Sequence, residues 1–205
     1  MRHAPNKDAV LYLKTNIWPS IRAQLPTIQL HVYGAYQSQQ ISELHNPKEG
    51  FIIKGWAPDA DKVFKNARLL LAPLRFGAGL KGKILNTMLS GTPCITSSIG
   101  AEGMKIDQDF SGGVANNVTN FVEQSVRYYS EKEAWLRAQQ IGFRISENRF
   151  NKASFSEVFK NRVRQVASSL ELHRNAHFMG QILWHQSMQS RKFMSKWIEA
   201  KNKRT

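Results

Sequence analysis

The sequence predicts an α/β protein, a parallel sheet with flanking helices continued by a helical carboxy-terminal extension. Three observations carry that expectation. Short apolar runs alternate with amphipathic stretches between residues 8 and 97, glycine or proline punctuates the runs, and past residue 117 only helical periodicity remains.

Residues 8–25 place Val10, Leu11, Leu13, Ile17, Ile21 and Leu25 at helical spacing, with Pro19 expected to kink or break the helix near its end. Ile28 to Tyr33 alternates with period two and stops at Gly34, as a half-buried strand does. A short helix over 38–45 follows, then a strand over 51–55, a helix over 59–67 and Leu69-Leu70-Leu71-Ala72 as a fully buried strand. A helix over 81–90 and a strand over 93–97 continue the alternation, which implies βαβ units. Gly112-Gly113 marks the change to helices, expected over 117–130, 132–148, 153–172, 176–190 and 191–201. The expected organisation is a sheet domain over 1–165 and a basic helical extension over 166–205.

With 205 residues, 41% of them hydrophobic, the chain can bury a core. Its apolar runs fall far short of the ~20 residues of a membrane-spanning helix, and no secretory signal follows Met1, so the expected location is cytoplasmic. The single cysteine, Cys94, lies in an apolar run and reads as a small buried side chain. A net charge of +14 calls for an anionic partner, whether nucleic acid, anionic lipid or a phosphorylated small molecule. Residues 156–205 hold ten Lys and Arg against three Glu, so the tail is a separate electrostatic feature. It makes an anionic surface at the inner face of the cell membrane a further expected partner.

The informative stretch is Ala72-Pro73-Leu74-Arg75-Phe76-Gly77-Ala78-Gly79-Leu80-Lys81-Gly82-Lys83-Ile84-Leu85-Asn86. It joins the carboxyl end of a strand to the start of a helix, where open parallel sheets bind ligands. Gly77 and Gly79 allow close backbone approach, the helix start offers unpaired N–H groups, and Arg75, Lys81 and Lys83 add positive charge. Together these suit a diphosphate. An ordinary glycine turn with solvated lysines would have the same local pattern.

The longer run from Ala72 to Gly103, ending Ser-Gly-Thr-Pro-Cys-Ile-Thr-Ser-Ser-Ile-Gly-Ala-Glu-Gly, resembles the donor-site segment of GT-B glycosyltransferases of the group-1 type. The resemblance extends through His3-Ala4-Pro5-Asn6, Leu30 to Gly34 and Lys54-Gly55-Trp56, and reaches about residue 165. It implies one Rossmann-like half of a GT-B fold, binding a nucleotide-diphosphate sugar for transfer to a glycan or lipid-linked acceptor in bacterial cell-surface polysaccharide synthesis. By resemblance Arg75 and Lys81 neutralise the leaving diphosphate, with Lys83 second and the backbone of Gly77, Ala78, Gly79 and Leu80 beside them. No cofactor and no metal is implied, and a retaining outcome is the leading expectation. Gly34, Gly55 and Trp56 fall where the family contacts nucleotide backbone or base, although Trp56 suits packing equally. Many relatives carry two glutamates at the positions of Ala78 and Asn86. Asn86 can still bond a ribose hydroxyl, whereas Ala78 offers no side-chain polar group. Glu102, after Gly100, either contacts donor hydroxyls or caps the next segment. Family members also have an amino-terminal acceptor domain, expected here to be missing or supplied by a separate chain, without which transfer would fail.

Two other classes compete. A nucleic-acid-binding module would explain the charge, but no helix-turn-helix glycine turn, zinc spacing or RNP-type strand is present. A non-catalytic partner of another glycosyltransferase is the third reading. His173 and His177 have the spacing of two metal ligands on a helix but no evident third, which favours a packing or surface role. The aromatic and Met positions from Phe178 to Trp197 read as a packing face, for an absent domain or a membrane surface.

Overall fold

The computed structural model describes residues 3–202; Lys203 and Arg204, counted in the basic tail, lie outside them. The chain divides into two compact units, Met1–Asn151 and Lys152–Thr205. The division lies at the junction of two helices, earlier than the expected 165/166 boundary, which falls within Lys152–Ser168.

The first unit opens with α1 (Ala4–Tyr12), a π-helical turn (Leu13–Ile17) and α2 (Trp18–Gln24), all in right-handed helical backbone. Pro19 lacks the N–H that would bond back along the helix, and the turn before it widens so that Trp18 N–H reaches the Leu13 carbonyl. Pro19 therefore marks an irregularity, as expected, without breaking the helix. The helix also begins earlier than residue 8, with Pro5 in its first turn, where a missing N–H costs nothing. Its inner face buries Val10, Leu13, Ile17, Trp18 and Ile21. Trp18 meets Phe51 edge to face at 6.3 Å, and its indole N–H donates to the Glu49 carbonyl at 2.7 Å. Truncating such a buried tryptophan costs about 3–5 kcal/mol.

Two parallel sheets rest on helices. In the first, β1 (Leu30–Tyr33) pairs with β2 (Phe51–Gly55), with α3 (Gln39–Ser42) between them in sequence. The predicted alternation is visible in β1, where Val32 is buried and His31 and Tyr33 are exposed. The second sheet has the order β3-β4-β5, all parallel: β3 (Leu70–Ala72), β4 (Cys94–Thr96) and β5 (Gly112–Val114). Helix α4 (Ala60–Lys65) precedes β3, α5 (Gly82–Ser90) links β3 to β4, and α6 (Ser98–Ala101) follows β4.

Two expectations are corrected here. Gly112-Gly113 is not the end of the sheet but the body of β5; a Cβ on Gly112 would lie 2.1 Å from the Cys94 carbonyl oxygen, so the strand closes on β4 only because that side chain is absent. β3 is not fully buried either: Leu70 and Leu71 are half-buried and only Ala72 is buried. β3 pairs with β4 on one side, and no strand is assigned to its other edge among the described residues.

Helices α7 (Val118–Ser130) and α8 (Lys132–Phe150) complete the unit. Asn117 caps α7 by accepting from Asn120 N–H, and α8 lies against α5, where Gln139 donates to the Gly91 carbonyl at 2.7 Å. One core joins the amino-terminal helix, both sheets and α7; the other joins β3, β4, α5 and α8.

The second unit consists of α9 (Lys152–Ser168), α10 (Leu170–Ala176) and α11 (Phe178–Asn202). Two expected boundaries change. The helix expected over 153–172 ends at Ser168, and those expected over 176–190 and 191–201 are one helix, since Gln189-Ser190-Arg191 contains nothing that stops a helix. No residue of 152–202 is buried.

Candidate functional site

The sequence-predicted residues collect at the carboxyl ends of the parallel strands, in one group on each sheet. The larger group surrounds the loop from Pro73 to Lys81, between β3 and α5. Pro73 and Leu74 are buried and anchor the loop, whereas Arg75 to Leu80 are exposed. Gly77 and Gly79 adopt φ of 141° and 72°, left-handed backbone that a side chain would strain. Lys81 is the N-cap residue of α5 and contributes no side-chain cap bond to the first turn.

Two segments converge on this loop. The start of α1 supplies Pro5, Asn6 and Asp8; a Cβ on Gly77 would touch Pro5 at 3.8 Å. Lys83 Nζ donates to Asn6 Oδ1, and Arg75 donates to the Asp8 carboxylate through Nε at 2.9 Å and through Nη2. The Arg75 guanidinium also lies over the Tyr12 ring at 4.8 Å. The end of α6 supplies Glu102, whose Oε2 is 3.3 Å from Lys81 Nζ, and Gly103, beneath the Leu80 side chain. The hydrogen bond from Arg75 holds the Asp8 carboxyl below its usual range and raises the guanidinium above its own. Burial lowers Lys83, making its charge costlier to keep than that of a solvated lysine.

The sequence reading missed Asp8 and Asn6 as anchors, because their partners lie far along the chain and no local pattern pairs them. Glu102 is exposed, and its carboxylate forms an ion pair with Lys81. Gly100 is buried, and a Cβ there would lie 1.9 Å from Thr96 Oγ1, so its bareness serves packing of α6 on β4. Asn86 is exposed on α5, and Ala78 is exposed at the loop's crest.

The second group, Gly34, Gly55 and Trp56, lines a cavity of about 490 Å³ with Ala35, Tyr36 and Gln37 at the ends of β1 and β2. Gly34 N–H donates to the Gly55 carbonyl at 2.7 Å, and Trp56 is 68% exposed, so its ring is a surface feature rather than part of a core. Gln37 Nε2 and Ser38 Oγ are buried with no hydrogen-bond partner among the described residues. A smaller hollow of about 290 Å³ lies where Pro73, Arg75, Ser97 and Asn116 meet Tyr12.

The remaining candidates carry less chemistry. Cys94 is fully buried and burial pushes its thiol far up, so the thiolate a nucleophile needs is suppressed. His173 and His177 meet edge to face at 4.5 Å, and no group of three or more His, Cys, Asp or Glu among the described residues is placed to hold a metal ion. No described helix is long and apolar enough to cross a membrane.

Residues 1–131 match the family model described as glycosyl transferases group 1. Solved structures similar to this chain include a TarM variant from S. aureus in complex with Fondaparinux, alpha-GlcNAc-glycerol and UDP, with a TM-score of 0.64 and 13% identity over 78% of this chain. The pneumococcal O-GlcNAc transferase GtfA in complex with UDP and GlcNAc is similar at a TM-score of 0.63 and 16% identity over 77% of this chain. Anabaena Alr3699/HepE in complex with UDP and glucose is similar at 0.57 and 12% over 80%. The matched part spans 33% of TarM, 33% of GtfA and 53% of HepE, and at these identities the likeness is one of fold. No curated protein matches the sequence. With the family model covering more than half of the chain and the parallel sheets and flanking helices of the GT-B neighbours in place, the chain belongs to the glycosyl transferases of group 1.

Proposed function

We propose that this chain binds a nucleotide-diphosphate sugar and presents its glycosyl group to a glycan or lipid-linked acceptor, held by an amino-terminal acceptor domain on the other side of the cleft. The observation that carries the reading is the loop from Pro73 to Lys81: two left-handed glycines at a strand's carboxyl end, leading into an uncapped helix start, with Arg75, Lys81 and Lys83 around it. Backbone N–H groups at such a terminus favour phosphate oxygens, and the surrounding cations favour the charge that develops on a departing diphosphate. Arg75 and Lys81 are the residues we assign to that stabilisation, with Lys83 supporting from beneath. The complexes of TarM, GtfA and HepE contain UDP, which supports a uridine nucleotide as the first ligand to test.

The cavity beside Trp56 suits the base. An exposed indole offers a stacking face, and Gln37 supplies an amide donor without a partner of its own. Asn86 and Glu102 are assigned to ribose and sugar hydroxyls. The place of action proposed is the bacterial cytoplasm, in the synthesis of a cell-surface polysaccharide.

Calorimetric titration of the chain with UDP, UDP-GlcNAc and UDP-glucose tests the reading. Saturable binding, weakened when Arg75 or Lys81 is replaced by Ala, is the expected result. No binding of any nucleoside diphosphate, or affinities unchanged in both variants, rejects it.

A further inference from the structure

We propose that residues 152–202 form a docking surface for an anionic lipid bilayer, with α11 lying in the plane of the headgroups and inserting its aromatic side chains. The inference is independent of the donor site and rests on burial, charge and the arrangement of apolar residues along one helix.

In three consecutive helices no residue is buried, and only Ser156, Val166, Ser169 and His173 are even half-buried. The exposed side chains are large: Leu183 is 65% exposed, Trp184 71%, Phe193 62%, Met194 64% and Trp197 62%. Aromatic residues of this kind each present about 150–250 Å². Phe178, Trp184, Phe193 and Trp197 alone therefore leave on the order of 500 Å² of apolar surface in water along α11, an amount that on a protein surface marks an interaction site. Helices with such surface are stable where an apolar phase receives it.

Charge selects the phase. Residues 152–202 carry nine Lys and Arg against Glu157, Glu171 and Glu199, and Lys160 pairs with Glu157. On α11 itself Arg191, Lys192, Lys196 and Lys201 are interspersed with Phe193, Met194, Trp197 and Ile198. Lys201 Nζ lies over the Trp197 ring at 5.3 Å, an amphipathic pair that suits the level of lipid headgroups. A nucleic acid would meet the charge but leave the apolar side chains wet. A helix-in-groove partner requires an unbroken stripe at i, i+3, i+4 and i+7. On α11 no four positions at that spacing are all apolar: Met179, Ile182 and Leu183 run into Gln186, and Met194, Trp197 and Ile198 run into Lys201, leaving apolar clusters at Phe178–Trp184 and Phe193–Ile198. α11 is about 37 Å long, enough to span, but its charges and low apolarity exclude a span. An interfacial helix accepts a broad aromatic face with basic residues at its margins.

The test uses the full chain with phosphatidylcholine vesicles, with and without phosphatidylglycerol. Expected results are salt-sensitive cosedimentation with the anionic vesicles only, and quenching of tryptophan emission by brominated acyl chains that disappears in a W184F/W197F variant. The variant K192Q/K196Q/K201Q should partition ~100-fold more weakly, about fivefold per charge, while its UDP titration stays unchanged. Equal partitioning to neutral vesicles, none to anionic vesicles, or adsorption without acyl-chain quenching overturns the proposal. So does tighter binding to RNA or DNA than to vesicles, or self-association that buries Trp184 and Trp197 in solution and abolishes vesicle binding. Circular dichroism of each variant separates loss of the surface from loss of the helix.

Discussion

Arg75 and Lys81 each face a carboxylate, so an arriving diphosphate meets a site in which two of three cations are already offset. The ion pairs orient the cations and reduce their net charge, and the two effects separate by substitution. R75A and K81A should each weaken UDP binding by about 1.5–3 kcal/mol, the range for a hydrogen bond to a charged group. E102Q is more discriminating. If Glu102 only offsets Lys81, both UDP and UDP-sugar bind more tightly in the variant; if it also holds donor hydroxyls, UDP tightens and UDP-sugar weakens. Calorimetry with the two ligands reads out the difference. Asp8 gives a pH signature: its folded pKa lies below the unfolded value, so its stabilising contribution is present above the ordinary carboxylate range and is lost as pH falls through the lowered value. Acid should therefore loosen α1 from the loop in the wild type, and D8N should remove that pH dependence from amide exchange at residues 4–12. The cations and glycines were legible in the sequence because they are contiguous. Asp8 and Asn6 were not, since their partners lie 67 and 77 positions away and only the fold brings them together.

Among the elements, β5 depends on a missing side chain. Gly112 has φ of 130° and no room for a Cβ against β4, so G112A should destabilise the fold by about 2–4 kcal/mol, combining backbone strain with overpacking. G79A is the control: φ is 72° but nothing lies within 4 Å of the added Cβ, so the cost should be about 1–2 kcal/mol, from strain alone. Thermal melts of the two variants provide the comparison, and an equal loss in both would mean that packing at Gly112 does not matter. The same residue explains why β5 escaped the sequence reading. A strand is recognised by β-branched and aromatic residues in alternation, and Gly-Gly-Val carries almost none of that signal. β1 and α5 were legible because Val32 is flanked by exposed neighbours and Ile84 and Met88 recur at helical spacing. The π-helical turn had half a signal: Pro19 announces an irregularity, but whether a helix breaks or widens depends on the buried face. Here Leu13, Ile17 and Trp18 all remain in the core.

At the scale of the molecule, the alternation of strands and helices from β1 to β4 was legible because each βα unit is local, while the extent of burial was not, because it depends on what lies beside each strand. The run Leu69-Leu70-Leu71 looks fully buried in isolation, yet Leu70 and Leu71 are half-buried at an edge of the sheet to which no strand is assigned among the described residues. The chain spans about a third of TarM and GtfA, and the reading of the donor site places acceptor, base and much of the water exclusion on a facing domain. Binding and transfer should accordingly separate. A polypeptide of these 205 residues should bind nucleotide, weakly, because one wall of the cleft is open and the bound sugar stays hydrated. Saturation at 100 times the dissociation constant should still raise stability by about 2.7 kcal/mol, a measurable thermal shift. It should not move sugar from labelled donors to a lipid-linked acceptor extract by itself. Mixing with a homologous amino-terminal acceptor domain should restore transfer and tighten donor binding together, since the same closure that excludes water completes the contacts to the sugar. Transfer by the polypeptide alone would show that the sheet unit holds a complete active site. Tighter donor binding on mixing without transfer would place the facing domain in the binding step and not in the chemistry.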